Sequence, residues 1–528
     1  MSVHAHVEDR KFQGNFWWFF PSLSSLSCHN CVSPKLMQQK VKIPPVWVSL
    51  IPFLFLAVTL STVVKIFGGS ALDGASQVSL IMTSGLVVAI SMIFYRKRWE
   101  DFENGIMDNI RSVSSAILIL FLIGAVAGSW MVSGIVPMMI YYGMKIITPK
   151  IFLFATCAIC ALISVMTGSS WTTIATVGVA LIGIGTAQGY SAGWTAGAII
   201  SGAYFGDKIS PLSDTTTLAS SAAGTPLFTH IRYMLLTTIP SFVITLLIFL
   251  IASLTHTVPS QTTIAEFAED LASNFNISLW LLLVPVVTGI LIARKMPALL
   301  TLFVAVLLAC IAALIFQPHI IWQIATGEPL SGFEHLCFRA GFKGMMLSVY
   351  GPTGISVDNP ELDRLIATNG ITGMLPTVFL VISAAAFGGV LVGSGMLQSL
   401  TVALQKAVNR TFSIVTATVG TGIFANMVTG DQYLSIILTG SLYRKLYEDK
   451  GLEPRLLSRS VEDSATVCSV LIPWNSCGMT QATVLKVATV EYLPYCFFNL
   501  ISPLMSIVVA AAGFRIYRHF KPSPERAE

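Results

Sequence analysis

Along the chain, apolar residues run in blocks of about 20, the length a helix needs to cross the ~30 Å hydrocarbon layer of a bilayer. Uninterrupted blocks predict transmembrane helices over 46–67, 76–95, 113–130, 232–254, 275–294, 297–316, 371–392 and 490–514. Two further blocks, 193–222 and 460–488, are long enough to cross but contain SPLSDTT and IPWNSCG. Each interruption is a Pro followed by small polar residues, which predicts a broken helix. Two more, 151–186 and 412–446, are apolar arms around the polar centres TGSSW and TGDQY, and predict either two tightly connected spans or re-entrant hairpins with mid-membrane tips. The expected fold is all-α and polytopic: about ten transmembrane helices plus two re-entrant hairpins, with two broken helices.

Composition agrees. The chain is 528 residues long, 54% hydrophobic and only 11% charged, with a mean hydropathy of +0.75, whereas soluble domains carry about 25% charged residues. A transmembrane barrel, a disordered chain and a small disulfide scaffold are excluded. The net charge of +5 fits basic loops on one side of a membrane, and no nucleic-acid signature accompanies it. Of nine Cys, Cys157 and Cys160 form C-x-x-C at helical spacing inside an apolar run, which reads as small buried side chains rather than a metal or redox pair. Residues 1–36, with Cys28 and Cys31, carry an aromatic cluster and a Ser-rich stretch but no signal-peptide pattern, and Met37 followed by QQKVKIPP looks like a natural start.

Basic residues orient the chain. With a cytoplasmic N-terminus, hairpins that return to their own side and 131–147 and 393–408 not crossing, Arg96 to Arg98, His230/Arg232, Arg294/Lys295, Arg410, the run Arg444 to Arg459 and the tail from Arg515 all fall inside. Glu266, Glu269 and Asp270 fall outside. The expected organisation is an N-terminal extension 1–44, a first repeat 45–254, an acidic external loop 255–274, a second repeat 275–514 and a cytoplasmic tail 515–528, in the cytoplasmic membrane with both termini inside.

The repeat is visible in short motifs. Thr167 to Ser170 match Thr429 to Gln432 at an offset of 262 residues, as Pro211 matches Pro473, and Ser133-Gly134 matches Ser394-Gly395 at 261. Upstream, Phe102, Gly105, Ser112 and Val113 recur as Phe338, Gly341, Ser348 and Val349 at 236, so an insertion of about 25 residues before residue 371 reconciles the registers. Five crossings per half, an odd number, place the halves upside down relative to each other. Inverted repeats with broken helices are the build of a secondary transporter.

Only 26 acids occur, and twenty of them can be placed in tails, loops or helix ends. The remainder are Asp207 and Asp214 flanking the first break, Asp431 on the second hairpin tip, Glu462 and Asp463 opening the helix into the second break, and Glu491 near a span start. A carboxylate in a span costs about 2.5–3.5 kcal/mol even on mild scales, so these need a reason to stay. Pairing of Asp207 with adjacent Lys208 is geometrically poor, because neighbours on a helix point about 100° apart. Asp431 has capping as its plain alternative, and Glu462 and Asp463 have a first-turn position favoured by the helix dipole. Around them stand oxygen donors: Ser169, Ser170, Thr172 and Thr173; Ser210, Ser213 and Thr215 to Thr217; Thr429, Gln432, Asn475, Ser476 and Thr480. Such a set suits a hard cation, and no thiolate or imidazole cluster, phosphate loop or other cofactor motif accompanies it. The pairs Gly124/Gly128 and Gly389/Gly393 read as close helix packing.

The strings TGSSWTTIATVGVALIGIG and SGAYFGDKISPLSDTTTLA closely resemble the signature region of the NhaC family of Na+/H+ antiporters, in the larger ion transporter superfamily. The resemblance extends over most of the chain from about residue 45. It implies exchange of Na+ against H+, a scaffold and a transport part built on inverted repeats with re-entrant hairpins, and ion ligands among 207–215 and 168–170. The family also includes exchangers of malate and protons for lactate and Na+.

The expected mechanism is alternating access around a buried carboxylate that binds Na+ or H+ but not both. Asp214 is the first choice, then Asp207 or Asp431, with Ser169, Ser170, Ser213, Thr215, Asn475 and Ser476 as further Na+ ligands and Glu462 or Asp463 in proton coupling. The rival is Na+-coupled exchange of a small carboxylate, held by half-helix N-termini, Asn475/Ser476 and Lys208 as charge partner. An enzyme would need a catalytic constellation such as H-E-x-x-H or G-x-S-x-G, and neither stands in the spans. Stoichiometry and oligomeric state, a homodimer included, stay open.

Overall fold

The computed structural model describes residues 44–67, 74–257, 261–294, 296–328, 337–355, 357, 362–363, 366–406 and 410–517. The N-terminal extension, with Met37 and Cys28/Cys31, lies outside them. The first half contains α1 (Val46–Phe67), α2 (Ala75–Tyr95), α3 (Trp99–Val132), α4 (Ile135–Ile146), α5 (Phe152–Thr167), α6 (Ser170–Ala187), α7 (Ala192–Ile209), α8 (Asp214–Ala223) and α9 (Leu227–Thr255). After α10 (Gln261–Asn274), α11 (Leu283–Ala293), α12 (Ala298–Phe316) and α13 (Pro318–Thr326) come α14 (Phe338–Tyr350), α15 (Gly370–Ser394), α16 (Met396–Lys406), α17 (Thr411–Thr429), α18 (Gln432–Asp449), α19 (Pro454–Val461), α20 (Ser476–Leu485), α21 (Thr489–Tyr492) and α22 (Phe497–Ala511). Among the described residues, nine helices are long and apolar enough to cross a membrane, or up to 11 if each of two bent pairs forms one span. This is an all-helical, multi-pass membrane protein.

Helix starts recur with the offset seen in the sequence: Ser170/Gln432, Ala192/Pro454, Asp214/Ser476 and Leu227/Thr489 are each 262 residues apart. Local bonding recurs too. Ser164 Oγ donates to Ala203 O at 2.6 Å, and Asn426 Nδ2, 262 residues on, donates to Ala465 O at 2.6 Å. The upstream register shift has a structural cause: where the first half has the 34-residue α3, the second has α14 and α15 separated by 351–369.

Three differences from the expectation bear on the site. Residues 255–274 are not a plain loop, because α10 fills most of that segment and buries Phe267 and Leu271. The helix into the second break starts at Pro454 and runs on from α19 through a π turn, Glu462–Thr466. Glu462 and Asp463 therefore sit in a helix interior rather than its first turn, so the dipole alternative does not apply. Arg459, expected in a cytoplasmic loop, is completely buried on α19.

The crossing of α3 and α15 joins the first half of the chain to the second. A Cβ on Gly105 would run into the Gly389 carbonyl, one on Gly124 into Gly370 O and one on Gly393 into Asp101 O, so backbones touch where the glycine pairs predicted close packing. Asn109 Nδ2 adds a bond to Ala385 O at 3.0 Å across the same crossing. Gly389→Val is expected to cost about 1–3 kcal/mol through overpacking, read as a lower thermal midpoint in detergent. Gly85→Ala, which meets no atom within 4 Å, should leave the midpoint in place.

Candidate functional site

The two hairpin tips are built alike from local chemistry. Gly168 (φ 65°) and Gly430 (φ 63°) end α5 and α17 in the left-handed conformation that favours Gly. The next residue caps the following helix: Ser169 Oγ accepts the Thr172 N–H at 3.2 Å, and Asp431 Oδ1 accepts the Leu434 N–H at 2.9 Å. Inside each tip a Thr hydroxyl meets a second hydroxyl, Thr167 with Thr173 at 3.3 Å and Thr429 with Ser435 at 2.9 Å.

Opposite the tips stand the breaks. α7 stops at Ile209 and α8 restarts at Asp214, its N-cap Ser213 accepting the Thr216 N–H at 3.4 Å. In the second half Asn475 Oδ1 accepts the Cys477 N–H at 3.0 Å and begins α20. Each tip docks on its own half's break. Ser170 donates both its N–H, at 3.2 Å, and its hydroxyl, at 2.7 Å, to Asp207 Oδ2. Ser476 donates its N–H to Gly430 O at 2.7 Å and its hydroxyl to Asp431 Oδ2 at 3.4 Å.

Between the first tip and the first break lies a cavity of about 650 Å³, lined among others by Ser169, Asp207, Ser213, Asp214 and Thr215. Asp207 forms its floor, 6% exposed and without an ion-pair partner among the described residues. Asp214, the acid favoured from sequence, is exposed at the first turn of α8, so it belongs to the wall rather than to a buried core. The second half contributes Gln432 and Tyr433 from α18. Asp431, Asn475 and Ser476 are held in the second tip and break and are not among the lining residues; Asp431 serves as the cap that was its plain alternative.

Behind the cavity is a buried charge cluster. Lys208 ion-pairs with Asp463, not with Asp207, and both side chains are wholly buried. Ser502 Oγ bonds Asp463 Oδ1 at 3.0 Å, Thr237 Oγ1 bonds Oδ2 at 2.9 Å, and the Arg459 guanidinium lies 3.9 Å from Oδ2 and over the Tyr233 ring. Glu462 Oε1 accepts a bond from Thr215 Oγ1 at 3.4 Å, which joins this cluster to the cavity wall. Sequence reasoning missed Arg459, Thr237, Ser502 and Tyr433. For Arg459 the spacing of four residues to Asp463 on one helix was a signal, and Tyr433 closes the TGDQY tip next to Gln432; Thr237 and Ser502 come from distant helices and left none.

Interrupted helices facing hairpin tips across a carboxylate-bearing cavity, inside a polytopic bundle, are the build of a secondary transporter. The model of the Na+/H+ antiporter family matches residues 202–514. The chain is 35% identical to the Na+/H+ antiporter NhaC of Alkalihalophilus pseudofirmus over 82% of this chain and 89% of that one. It is 34% identical to the malate-2H+/Na+-lactate antiporter of Bacillus subtilis over 79% and 85%, and 31% identical to the arginine/ornithine antiporter ArcD of Halobacterium salinarum over 86% and 90%. The chain belongs to the Na+/H+ antiporter family.

Removing one partner from a buried ion pair strands a charge, at about 3–5 kcal/mol. Lys208→Met should lower the thermal midpoint in detergent strongly, and Asp463→Asn more strongly still, since it strands Lys208 and Arg459 together. Lys208→Met with Asp463→Leu should recover part of the loss, and a midpoint equal to the sum of the single effects would show that the pair is not the stabilising unit.

Proposed function

We propose that this protein exchanges Na+ for H+ across the cytoplasmic membrane by alternating access, with Asp207 as the carboxylate that both ions share. The observation that carries the reading is Asp207 itself: a buried carboxylate facing a cavity, held by Ser170 through one oxygen, with no basic partner among the described residues. An anion so placed needs a proton or a cation. Ser169, Ser213 and Thr215 supply the hydroxyl oxygens a hard cation takes in exchange for its water. Asp214 on the wall draws cations in, and Glu462, through Thr215, is the acid placed to couple proton movement to the site. Asp431, Asn475 and Ser476 hold the second tip against the second break.

In this reading the halves are inverted repeats, the α5/α6 and α17/α18 pairs are re-entrant hairpins, and both termini are cytoplasmic, in keeping with the distribution of Lys and Arg. Movement of tips and breaks against the scaffold of α3 and α15 opens the site to each side in turn. The carboxylate-exchange reading needs a free cation at the cavity. Lys208 is committed to Asp463, and none of the described lining residues is basic, so Na+ against H+ fits better.

Proteoliposomes with an imposed pH gradient test this. Asp207→Asn should abolish Na+-dependent dissipation of the gradient. Asp214→Asn should retain it but raise the half-saturating Na+ concentration about fivefold, the equivalent of about 1 kcal/mol. Because the two ions compete for one carboxylate, half-saturation in the unaltered protein should fall as the pH rises. Normal exchange by Asp207→Asn would overturn the assignment.

A further inference from the structure

Two buried cations share one carboxylate. Lys208 is in contact with Asp463, whereas the Arg459 guanidinium stands off, 3.9 Å from Asp463 Oδ2. Among the described residues none of the three Arg459 nitrogens has a hydrogen-bond acceptor, and all three are sealed from any water-sized space. A buried guanidinium without acceptors is costly. Its place is nevertheless a built one. The Tyr233 ring lies beneath it, centroid 4.8 Å from the guanidinium carbon, and Tyr233 is itself fixed by donating its hydroxyl to Arg515 O at 3.0 Å. An aromatic face steadies a cation without engaging its N–H groups, so the guanidinium stays free to take an acceptor.

The two cations differ in what they move with. Lys208 stands in the last turn of α7, beside Asp207 and the first break, and Asp463 stands on the helix that leads to the second. Arg459 is four residues before Asp463 on that same helix, which runs on from α19 through the π turn. A displacement of one junction against the other therefore pulls Lys208 away from Asp463 but leaves Arg459 beside it. Without Arg459 that displacement strands a buried carboxylate, which is strongly destabilising. With it, attraction between opposite charges about 4 Å apart draws the guanidinium onto the carboxylate as Lys208 leaves.

We infer that Arg459 is a positioning residue, the stand-in partner of Asp463. It rests on Tyr233 while Lys208 holds the carboxylate, closes on Asp463 when the two junctions separate, and so lets the Lys208 pair open and re-form in each transport cycle. The inference rests on the alternating-access reading of the proposed function. It adds to that reading the residue that keeps Asp463 compensated while the site moves.

Arg459→Met, made in the full-length protein, tests this by stability and by transport. While Lys208 is in place the guanidinium makes no hydrogen bond, so Arg459→Met alone should leave the thermal midpoint in detergent within about 2 °C of the unaltered protein. In Lys208→Met the guanidinium becomes the partner of Asp463, so the double variant should lose more than the sum of the two single losses, or fail to fold where each single variant folds. In proteoliposomes Arg459→Met should slow Na+/H+ exchange at saturating Na+ at least about tenfold while half-saturating Na+ stays within about twofold, because movement and not the ion ligand is affected. Arg459→Lys, which keeps the charge, should restore most of the rate. Exchange by Arg459→Met at the unaltered rate, a defect seen only in half-saturation, a midpoint lowered by Arg459→Met alone, additive losses in the double variant, or no rescue by Arg459→Lys overturns the inference. Absence of exchange in the unaltered protein overturns the proposed function instead, and the midpoints, read without transport, still decide whether Arg459 backs Lys208 at Asp463.

Discussion

Backbone polar groups freed by a broken helix cannot be satisfied by lipid, and this constraint organises the whole protein. Among the described residues helices are interrupted at 210–213 and 472–475, and each of these interruptions is met by the tip of the hairpin from its own half. In the second half the contact is backbone to backbone, from the Ser476 N–H to Gly430 O. In the first half the tip donates its Ser170 N–H to the Asp207 side chain instead. Tip and break are thus joined in both halves but in opposite senses, the break donating to a tip carbonyl in the second and the tip donating to a carboxylate beside the break in the first. The carboxylate makes the first junction a charged one.

The halves share geometry and divide the chemistry. The position of Asp207 is Ser469 in the second half, and the position of Ser169 is Asp431. Glu462 and Asp463 stand where the first half has Ile200 and Ser201. Symmetric backbone therefore carries an asymmetric charge set, with the cavity acids on the first half and the counter-charge for Lys208 on the second. The Lys208 to Asp463 pair ties the first break to the helix preceding the second, so movement of one junction is felt at the other.

What was legible in the sequence is what local residues encode. Gly168 and Gly430 in left-handed turns, the caps Ser169, Asp431, Ser213 and Asn475, and the prolines of the breaks fix tips and interruptions by short-range chemistry, and a repeat of 262 residues makes them visible twice. The glycine pairs of α3 and α15 announced close packing for the same reason. Partners chosen by packing were not legible. Lys208 finds Asp463 across 255 residues, and Arg459 is buried because α19 begins earlier than hydropathy places it. Asp214 heads α8 with its side chain toward the cavity, which composition alone cannot distinguish from burial. Local rules located the site; the roles of its acids depended on how the two halves meet.

The buried charges also explain why an exchange of cations, rather than simple binding, suits this arrangement. Among the described buried residues the carboxylates are Asp207, Asp431, Glu462 and Asp463, and the full cations are Lys208 and Arg459. Lys208 and Arg459 are both drawn to Asp463, which leaves the remaining acids under-compensated in a region where an uncompensated charge is expensive. Asp431 is relieved by the tip N–H groups it caps. Asp207 has one oxygen toward Ser170 and faces the cavity, and Glu462 reaches that cavity only through Thr215. In the proposed reading these two acids take their neutrality from protons or cations, which are interchangeable for that purpose. Either one would then lower the cost of moving the site through the membrane, and leaving the site without either would raise it, which would couple movement to occupancy without any further device.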